Sequence, residues 1–294
     1  MKNKTTLTKD NIKILICCHK PCELPQNPDG IFLPIQVGAA ISNVDLGMQR
    51  DDQVNGEPCD NISAKNKSYC ELTALYWAWK NIKKIYPDLE YIGLNHYRRY
   101  FSFETKLKMS VYEDNILNEK DILNYHFDLE KLKKLLKKND CFIAKKHFYK
   151  FSMYWTYCLF YVSEDYRILK KTIQTNFSEY YKNFIRCMEK SNFYHPYNMF
   201  IMSYNDFDSY CSWLFSVLSK IENFIPFESY NEMQKRVFGY ISEFLLLVWL
   251  KNNKKNYKEI MVNTYGTNVK KLSPIMQILK TLRSKLIFFI LKHF

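Results

Sequence analysis

Apolar residues along the chain follow two patterns, short continuous runs and longer stretches with helical spacing. The run Ile12–Cys18 is apolar at nearly every position and ends in polar residues, which predicts a buried first strand. Similar short runs predict strands at Ile31–Val37, Tyr91–Leu94, Cys141–Ala144 and Asn198–Met202. Because these runs alternate with helical stretches, the pattern predicts a layered α/β domain.

The clearest helical spacing lies in Ser68–Ile85, where large apolar residues recur every three or four positions. Ser68 and Glu71 form the Ser-x-x-Glu pattern of a capping box, so we expect a helix to begin there. The segment 47–60 is polar and is expected to be a long surface loop. Further helices are predicted at Leu129–Lys138, Asp206–Ile221 and Glu232–Leu250.

The last part of the chain, residues 251–294, differs from the rest in charge. It holds ten lysine or arginine residues against one glutamate, and so carries most of the formal net charge of +13. On a helical wheel of Ile275–Phe294 the apolar side chains share one face, which is typical of a helix in a membrane interface. The alternative is a terminal helix docked on the core. We predict one domain over residues 1–250 and a basic amphipathic segment over 251–294 that binds an anionic membrane surface.

Composition then narrows the class of protein. With 47% hydrophobic residues and only 7 glycines among 294 residues, the chain can bury a core and is neither disordered nor collagen-like. The nine cysteines are scattered and no secretory signal precedes them, which favours free thiols in the cytoplasm. Phosphate-loop, Rossmann, hydrolase and zincin motifs are absent from the sequence.

The candidate chemistry gathers where the predicted strand Tyr91–Leu94 ends. His96, Tyr97, Arg98 and Arg99 follow it directly. The carboxyl ends of strands are where open α/β sheets bind ligands, and arginine binds phosphate oxygens in a bidentate manner. The segment therefore predicts a site for a diphosphate, with exposed arginines and a structural histidine as the alternative.

Two further segments add candidates. A polar loop with Asp60 and Asn61 leads into the amino end of a predicted helix, which suits sugar hydroxyls or an anion, with helix capping as the alternative. Glu243 lies among apolar residues, where desolvation would raise its pKa toward that of a general base. A salt bridge from Glu243 to Arg236 is the alternative.

Six segments of the chain are similar to those of one known family. They are Asp60–Ser63, Lys65–Asn66, Tyr69–Asn81, Tyr91–Phe101, Asn198–Met202 and Arg236–Glu243. Together they resemble the domain-of-unknown-function 4422 family, bacterial glycosyltransferases of capsular-polysaccharide and O-antigen gene clusters. The resemblance extends from about residue 13 to residue 250.

This resemblance implies a GT-A-like fold with a central mixed, mostly parallel sheet flanked by helices. It also implies transfer of a hexose, with galactose or galactofuranose as candidates, from a nucleotide-diphosphate donor such as a UDP-sugar. The acceptor would be a hydroxyl of a lipid-linked capsule or O-antigen (lipopolysaccharide) precursor. The enzyme would be peripheral at the inner face of the plasma membrane and would not bind nucleic acid.

Enzymes of this fold usually carry an Asp-X-Asp motif after a central strand, where it holds a divalent metal. Here Asn-His-Tyr-Arg-Arg stands at that place. We therefore predict a metal-independent hexosyltransferase that does not need Mn²⁺ or Mg²⁺, in which fixed cations stabilise the departing diphosphate. The arginine that usually follows the acid of the Ser-Glu segment is Phe244 here, so a charge partner expected beside Glu243 is missing.

The predicted site has three groups of residues. The catalytic candidates are Glu243 as the base, with His96 and Asp60 in reserve. The expected donor and diphosphate ligands are His19, Lys20, Asn61, Lys65, Asn66, Tyr69, His96, Tyr97, Arg98 and Arg99. The expected sugar or acceptor ligands are His195, Asn198, Met199 and Arg236. The competing hypothesis is a non-catalytic protein that binds nucleotide-sugar or RNA through the same basic residues.

Overall fold

The computed structural model describes residues 7–103, 114–266 and 274–293. Its strands are β1 (Ile12–Cys18), β2 (Phe32–Gln36), β3 (Gln49–Arg50), β4 (Gln53–Val54), β5 (Glu57–Pro58), β6 (Tyr91–His96), β7 (Arg99–Ser102), β8 (Asp114–Leu117), β9 (Cys141–Ala144), β10 (His147–Phe148), β11 (Phe193–Tyr194), β12 (Phe200–Ser203) and β13 (Tyr257–Tyr265). Its α-helices are α1 (Asn66–Tyr69), α2 (Leu72–Ile85), α3 (Leu129–Leu136), α4 (Met153–Phe160), α5 (Ser163–Asn176), α6 (Ser178–Met188), α7 (Tyr204–Glu222), α8 (Val237–Asn252) and α9 (Pro274–His293).

The main sheet has an open parallel part and a closed part. In the open part β1 pairs in parallel with β2 and β6, and β2 with β3. In the closed part β6, β12, β9, β13 and β7 pair in turn and return to β6, mostly antiparallel. The expectation of a mixed sheet is confirmed, whereas the expectation of a mostly parallel sheet is wrong for this ring of five strands.

Gly93 in β6 permits the ring to close. A Cβ atom at this position would lie 2.9 Å from the Cγ1 atom of Ile201 and 3.0 Å from the carbonyl oxygen of Phe200, both in β12. Those distances are shorter than van der Waals contact, so β12 approaches β6 this closely because residue 93 has no side chain.

Side chains alternate along β1 between two hydrophobic clusters. Leu15 and Cys17 contact the layer that contains α2, α7 and α8, whereas Ile14 and Ile16 contact a second cluster with Tyr100. Each cluster buries large side chains completely, so the strand is apolar on both faces, as its sequence predicted.

The predicted helix at residues 68–85 is broken in the structure. The helix α1 ends at Tyr69 and α2 begins at Leu72, because Cys70 has a φ of 51° and cannot continue a right-handed helix. The predicted capping box is wrong. The Ser68 hydroxyl donates to the Lys65 carbonyl oxygen at 3.1 Å, and Glu71 accepts a hydrogen bond from a distant segment.

The chain after residue 250 forms a strand of the main sheet and then a separate helix, whereas one basic segment was predicted. The strand β13 lies inside the ring between β9 and β7, so the sheet continues past the boundary placed at residue 250. The helix α9 then forms where a helix was predicted. Residues 267–273 and 294 of the predicted basic segment lie outside the described residues. Among the described helices, none is both long and apolar enough to cross a bilayer.

Candidate active site

A cavity of about 590 Å³ opens where β1 and β6 end. The two strands are parallel neighbours, so the residues that follow them meet at one edge of the sheet. Residues of α1, the break before α2, the turn before β12 and α8 complete the wall. The cavity therefore collects side chains from five separate parts of the chain.

One side of the cavity is cationic. His19, Arg98, Arg99 and Arg236 all line it. The Tyr97 ring lies 5.1 Å from the His19 ring and 5.7 Å from the Arg98 guanidinium, so it packs between them. Burial and the nearby positive charges lower the pKa of His19, which leaves its ring neutral at pH 7. The positive charges that line the cavity are thus those of the three arginines and of Lys67.

Two half-buried carboxyl groups, those of Glu71 and Glu243, line the same cavity, and the exposed Glu232 lies at its rim. Burial, and then the charge of Glu71, raise the pKa of Glu243 to about 8. A hydrogen bond from the Tyr197 backbone and the charges of Arg99 and Arg236 oppose this rise. Glu243 is therefore largely protonated at pH 7 and becomes mostly a carboxylate above about pH 8.

The positive partners of Glu243 come from outside its own helix. Phe244, at the position of the missing arginine, packs its ring 5.9 Å from that of Tyr157. Arg99 and Arg236 lower the pKa of Glu243, so it has positive neighbours although residue 244 is not an arginine. The Nε atom of Arg236 donates to the Sγ atom of Cys70 at 3.3 Å. Burial raises the pKa of that thiol to about 12, which keeps it protonated.

A two-residue turn before β12 connects the groups of the cavity. Tyr197 and Asn198 have φ values of 76° and 52°, both in the left-handed region. The Nε2 atom of His96 lies 2.7 Å from the Tyr197 carbonyl oxygen, so that nitrogen carries the proton and donates. The Asn198 side-chain amide donates to Glu71 at 2.6 Å. One turn thereby holds His96 and Glu71 and contacts Glu243.

A buried aspartate supports the wall beside α1. Asp51 accepts hydrogen bonds from the backbone N–H groups of Gly38 and Ala39 at 2.8 and 3.0 Å and from the Ser63 hydroxyl. Gly38 has a φ of 68°, and a Cβ atom there would lie 2.8 Å from the side chain of Asn66, which lines the cavity. Asp51 lies in the segment predicted to be a surface loop, so that prediction is wrong at this position.

Four of the predicted ligands lie outside the cavity wall. Asp60 is exposed and accepts a hydrogen bond from the Tyr76 hydroxyl at 3.1 Å, on the side of α2. Asn61 accepts from the backbone N–H of Ser63, so its role is local capping. The other two are held by their own partners, Lys65 by Glu222 at 2.8 Å and Tyr69 by the stacked Phe238 ring. The positions of these residues do not support the roles predicted for them.

The predicted sugar or acceptor ligands also lie partly at the cavity and partly away from it. Arg236 lines the cavity, whereas Asn198 is buried and contacts it only through Glu71. His195 and Met199 are buried elsewhere, and the Nδ1 atom of His195 lies 2.7 Å from the Ala144 carbonyl oxygen. Burial lowers the pKa of His195 to about 4, so it is a neutral core residue. Lys20 lies beside the cation cluster, 5.5 Å from the Tyr97 ring.

Sequence reasoning missed Glu71 as a site residue. Its position after Ser68 suggested helix capping, and its partner Asn198 is 127 residues away. Cys70 was also missed, since nothing in a sequence marks a cysteine for a left-handed φ. Within the described residues, no three His, Cys, Asp or Glu side chains come together as a metal site would require.

The cavity thus brings cationic side chains and carboxyl groups together, and comparison with known proteins identifies the family. The model of the domain of unknown function DUF4422 matches residues 13–255, and the chain belongs to this family. The resemblance noted in the sequence is therefore confirmed.

One solved structure is similar, that of the WbbM bifunctional glycosyltransferase in its apo form. The two share 28% sequence identity with a TM-score of 0.75, and the match covers 90% of this chain. It covers 47% of the other chain, so this protein spans about half the length of that polypeptide. No curated protein matches the sequence.

Proposed function

We propose that the protein is a GT-A-like glycosyltransferase that moves a hexose from a UDP-sugar to a hydroxyl of a lipid-linked polysaccharide precursor. The observation that supports this most is the cavity itself, where arginines and a carboxyl group of raised pKa come together at the carboxyl ends of β1 and β6. The similarity to a glycosyltransferase over 90% of the chain supports the same reaction class.

The cationic wall suits the departing nucleoside diphosphate. Arg98 is exposed at the rim, and the Arg99 guanidinium lies 4.2 Å above the centre of the Tyr197 ring. The Nε atom of Arg99 is buried and has no hydrogen-bond partner among the described residues. Fixed cations stabilise negative charge as it develops on the leaving group, which is the role a metal has in other enzymes. We therefore propose a metal-independent transfer.

The carboxyl wall suits the acceptor. In an inverting transfer the acceptor hydroxyl loses its proton as its oxygen attacks the anomeric carbon, and the bond from that carbon to the diphosphate breaks. Glu243 would take this proton. His96 is the alternative base. Its Nε2–H donates to the Tyr197 carbonyl oxygen, so its Nδ1 atom can accept a proton. Asn198 would keep Glu71 in place beside them.

A lipid-linked acceptor would require the enzyme to act at a membrane surface. We propose a cytoplasmic protein, peripheral at the inner face of the plasma membrane, held there by α9 and the other basic residues after 250. The competing function is a non-catalytic protein that binds nucleotide-sugar or RNA through the same basic residues.

Ligand-induced changes in Tm separate these functions. UDP should raise the Tm of the unmodified protein more than GDP, CDP or single-stranded RNA does. Arg98→Ala should remove the UDP effect. Arg167→Ala is the matched control, because Arg167 pairs with Glu164 at 3.0 Å on an exposed helix face outside the cavity. Stabilisation by RNA without any nucleotide effect would support the competing function. Release of UDP from a panel of UDP-hexoses then identifies the donor.

A further inference from the structure

The helix α9 lies on the protein with its polar side inward. Thr281 and Ser284 are 7% and 3% exposed, whereas Leu279, Leu282 and Leu286 are 54%, 55% and 59% exposed. A terminal helix docked on a core would bury its leucines instead. The orientation of α9 therefore leaves its apolar face directed to the surroundings of the protein.

The helix α4 has the same arrangement, although it belongs to the main body. Its inner side buries Met153 and Tyr157. Its outer side exposes Trp155, Leu159 and Phe160, which are 57%, 63% and 64% accessible. Three large exposed apolar side chains on a helix of eight residues are unusual for a surface that contacts only water.

The two outer faces are neighbours. A groove of about 600 Å³ is lined by Leu159 and Phe160 of α4 and by Leu279 and Arg283 of α9. A second groove of about 790 Å³ is lined by Trp155 and Leu159 of α4 and by Phe288 and Leu291 of α9. We call this combined surface, formed by the outer sides of α4 and α9, the α4–α9 face.

The charges around the α4–α9 face have one sign. Neither helix contains an acidic residue. Lys150, Lys280 and Arg283 line the first groove, and Lys190 lines the second. The one acid at the grooves, Glu189, is paired with Lys170 at 2.6 Å. A second copy of the chain on this face would bring like charges together, whereas anionic lipid headgroups would neutralise them.

We propose that the α4–α9 face binds an anionic phospholipid bilayer, with Trp155, Leu159 and Phe160 entering the interface beside the apolar side of α9. The membrane contact then includes a helix of the main body and not only the C-terminal segment. Tryptophan favours this depth, because its ring is apolar and its N–H remains near the headgroups. This inference depends on the surface alone and does not require that the protein transfers sugar.

The position of α4 connects the bilayer to the cavity. On its inner side the Tyr157 ring lies 5.9 Å from Phe244, and Tyr161, at its end, lies 4.4 Å from Tyr240. Both partners belong to α8, which carries Glu243. The helix that would contact the bilayer therefore packs directly against the helix that carries Glu243 into the cavity wall.

The test is co-sedimentation with vesicles of phosphatidylglycerol and phosphatidylcholine, and with phosphatidylcholine alone. The unmodified protein should bind the anionic vesicles, and the double variant Leu159→Ser/Phe160→Ser should bind them at least about tenfold more weakly, with α9 intact. Phe224→Ser is the matched control, because Phe224 is 69% exposed and lies in neither groove. It should bind as the unmodified protein does. An unchanged Tm shows that each variant folds.

Tryptophan fluorescence gives a second measurement. Trp155 is exposed, Trp77, Trp213 and Trp249 are buried, and the half-buried Trp79 stacks on Phe215 and lines neither groove. Anionic vesicles should therefore shift the emission to shorter wavelength through Trp155. Trp155→Phe should remove that shift while the protein still sediments with the vesicles. The proposal is overturned if the unmodified protein does not bind anionic vesicles, or if the double variant binds them equally well. A dimer that the double variant dissociates, without vesicle binding, would show that a second copy covers the face.

Discussion

The cavity and the α4–α9 face both present positive charge, but they hold it differently. In the cavity, arginines from β7, its preceding turn and the start of α8 face two carboxyl groups, and aromatic rings pack against the cations. On the α4–α9 face the basic side chains surround exposed apolar ones, and the two helices contain no acid. The first arrangement suits a small anion in one orientation, and the second suits an extended anionic surface.

This difference shows what net charge can and cannot indicate. Most of the formal charge of +13 lies after residue 250, and it draws attention to the extended surface. The cavity adds little formal net charge, because the acids Glu71, Glu232 and Glu243 line it together with its lysine and arginines. Its chemistry depends on the pairing of opposite charges, which a sum of charges conceals.

The largest expected effect separates the two regions by chemistry. Glu243→Gln should lower kcat by at least about 100-fold, because an amide cannot accept the proton of the acceptor hydroxyl. UDP affinity and binding to anionic vesicles should stay within about threefold, since neither needs a base. Turnover is measured by UDP release, and both affinities are measured directly.

Glu232→Gln is the matched control for this variant. Glu232 lines the rim of the same cavity, but its side chain is 83% exposed and lies 3.4 Å from Lys235. It should retain near-normal turnover. If Glu243→Gln also retains it, Glu243 is not the base and His96 becomes the candidate.

The second prediction concerns the stability of the cavity wall. Asn198→Ala should lower the free energy of unfolding by about 2 to 3 kcal/mol, because Glu71 and the Ser242 hydroxyl lose the buried amide that bonds them at 2.6 and 2.8 Å. Urea unfolding measures the loss. The double variant Leu159→Ser/Phe160→Ser should lose little, because those side chains are exposed in the folded protein.

The variant Asn198→Gly distinguishes the loss of the side-chain hydrogen bonds from the effect of backbone strain. Glycine accepts the φ of 52° at this position without strain, whereas alanine does not. The glycine variant should therefore be more stable than the alanine variant by about 1 kcal/mol. Equal stability of the two would show that backbone strain contributes nothing here.

Asn198 also illustrates which features the sequence could predict. The strands β1 and β9 were predicted with the observed bounds, because a short apolar run buried on both faces is a local signal. The segment from His96 to Arg99, at the end of β6, was an equally local signal, and all four of its residues line the cavity. The contact of Asn198 with Glu71 crosses 127 residues, so no local pattern could indicate it.

Two further errors have physical reasons. The break at Cys70 was missed, because the apolar spacing of a helix continues across it and the left-handed φ has no sequence mark. The strand β13 was missed, because Lys258 and the lysines just before the strand fitted the basic composition of the C-terminal segment. Its buried positions Ile260, Val262 and Thr264 alternate with less buried ones, and this period of two in the sequence predicts a strand.

The third prediction is a pH dependence confined to the cavity. Because the pKa of Glu243 is about 8, the carboxylate fraction and kcat/KM should rise about tenfold per pH unit below 8 and level off above it. Glu243→Gln should abolish this rise. Vesicle binding should not follow this rise, because Glu243 lines neither groove of the α4–α9 face.

The same shift has a consequence for stability. The folded pKa of Glu243 lies above its usual value of 4.5, so the native state binds the proton more tightly than the unfolded chain does. Its stabilising contribution is present below about pH 4.5 and is lost as the pH rises to about 8. Glu243→Gln should therefore have a higher Tm than the unmodified protein at pH 9, and the difference should shrink toward pH 5.

The smallest expected effect concerns metal removal, and it tests the claim that both regions bind anions with their own cations. EDTA should leave UDP release and vesicle binding within about twofold, because arginines in the cavity and basic side chains on the α4–α9 face supply the charge directly. The measurement compares both activities before and after dialysis against EDTA. Loss of UDP release that Mn²⁺ restores would overturn the metal-independent transfer. If vesicle binding survived in that experiment, only the cavity would need a metal, and the two regions would differ more deeply than their charges indicate.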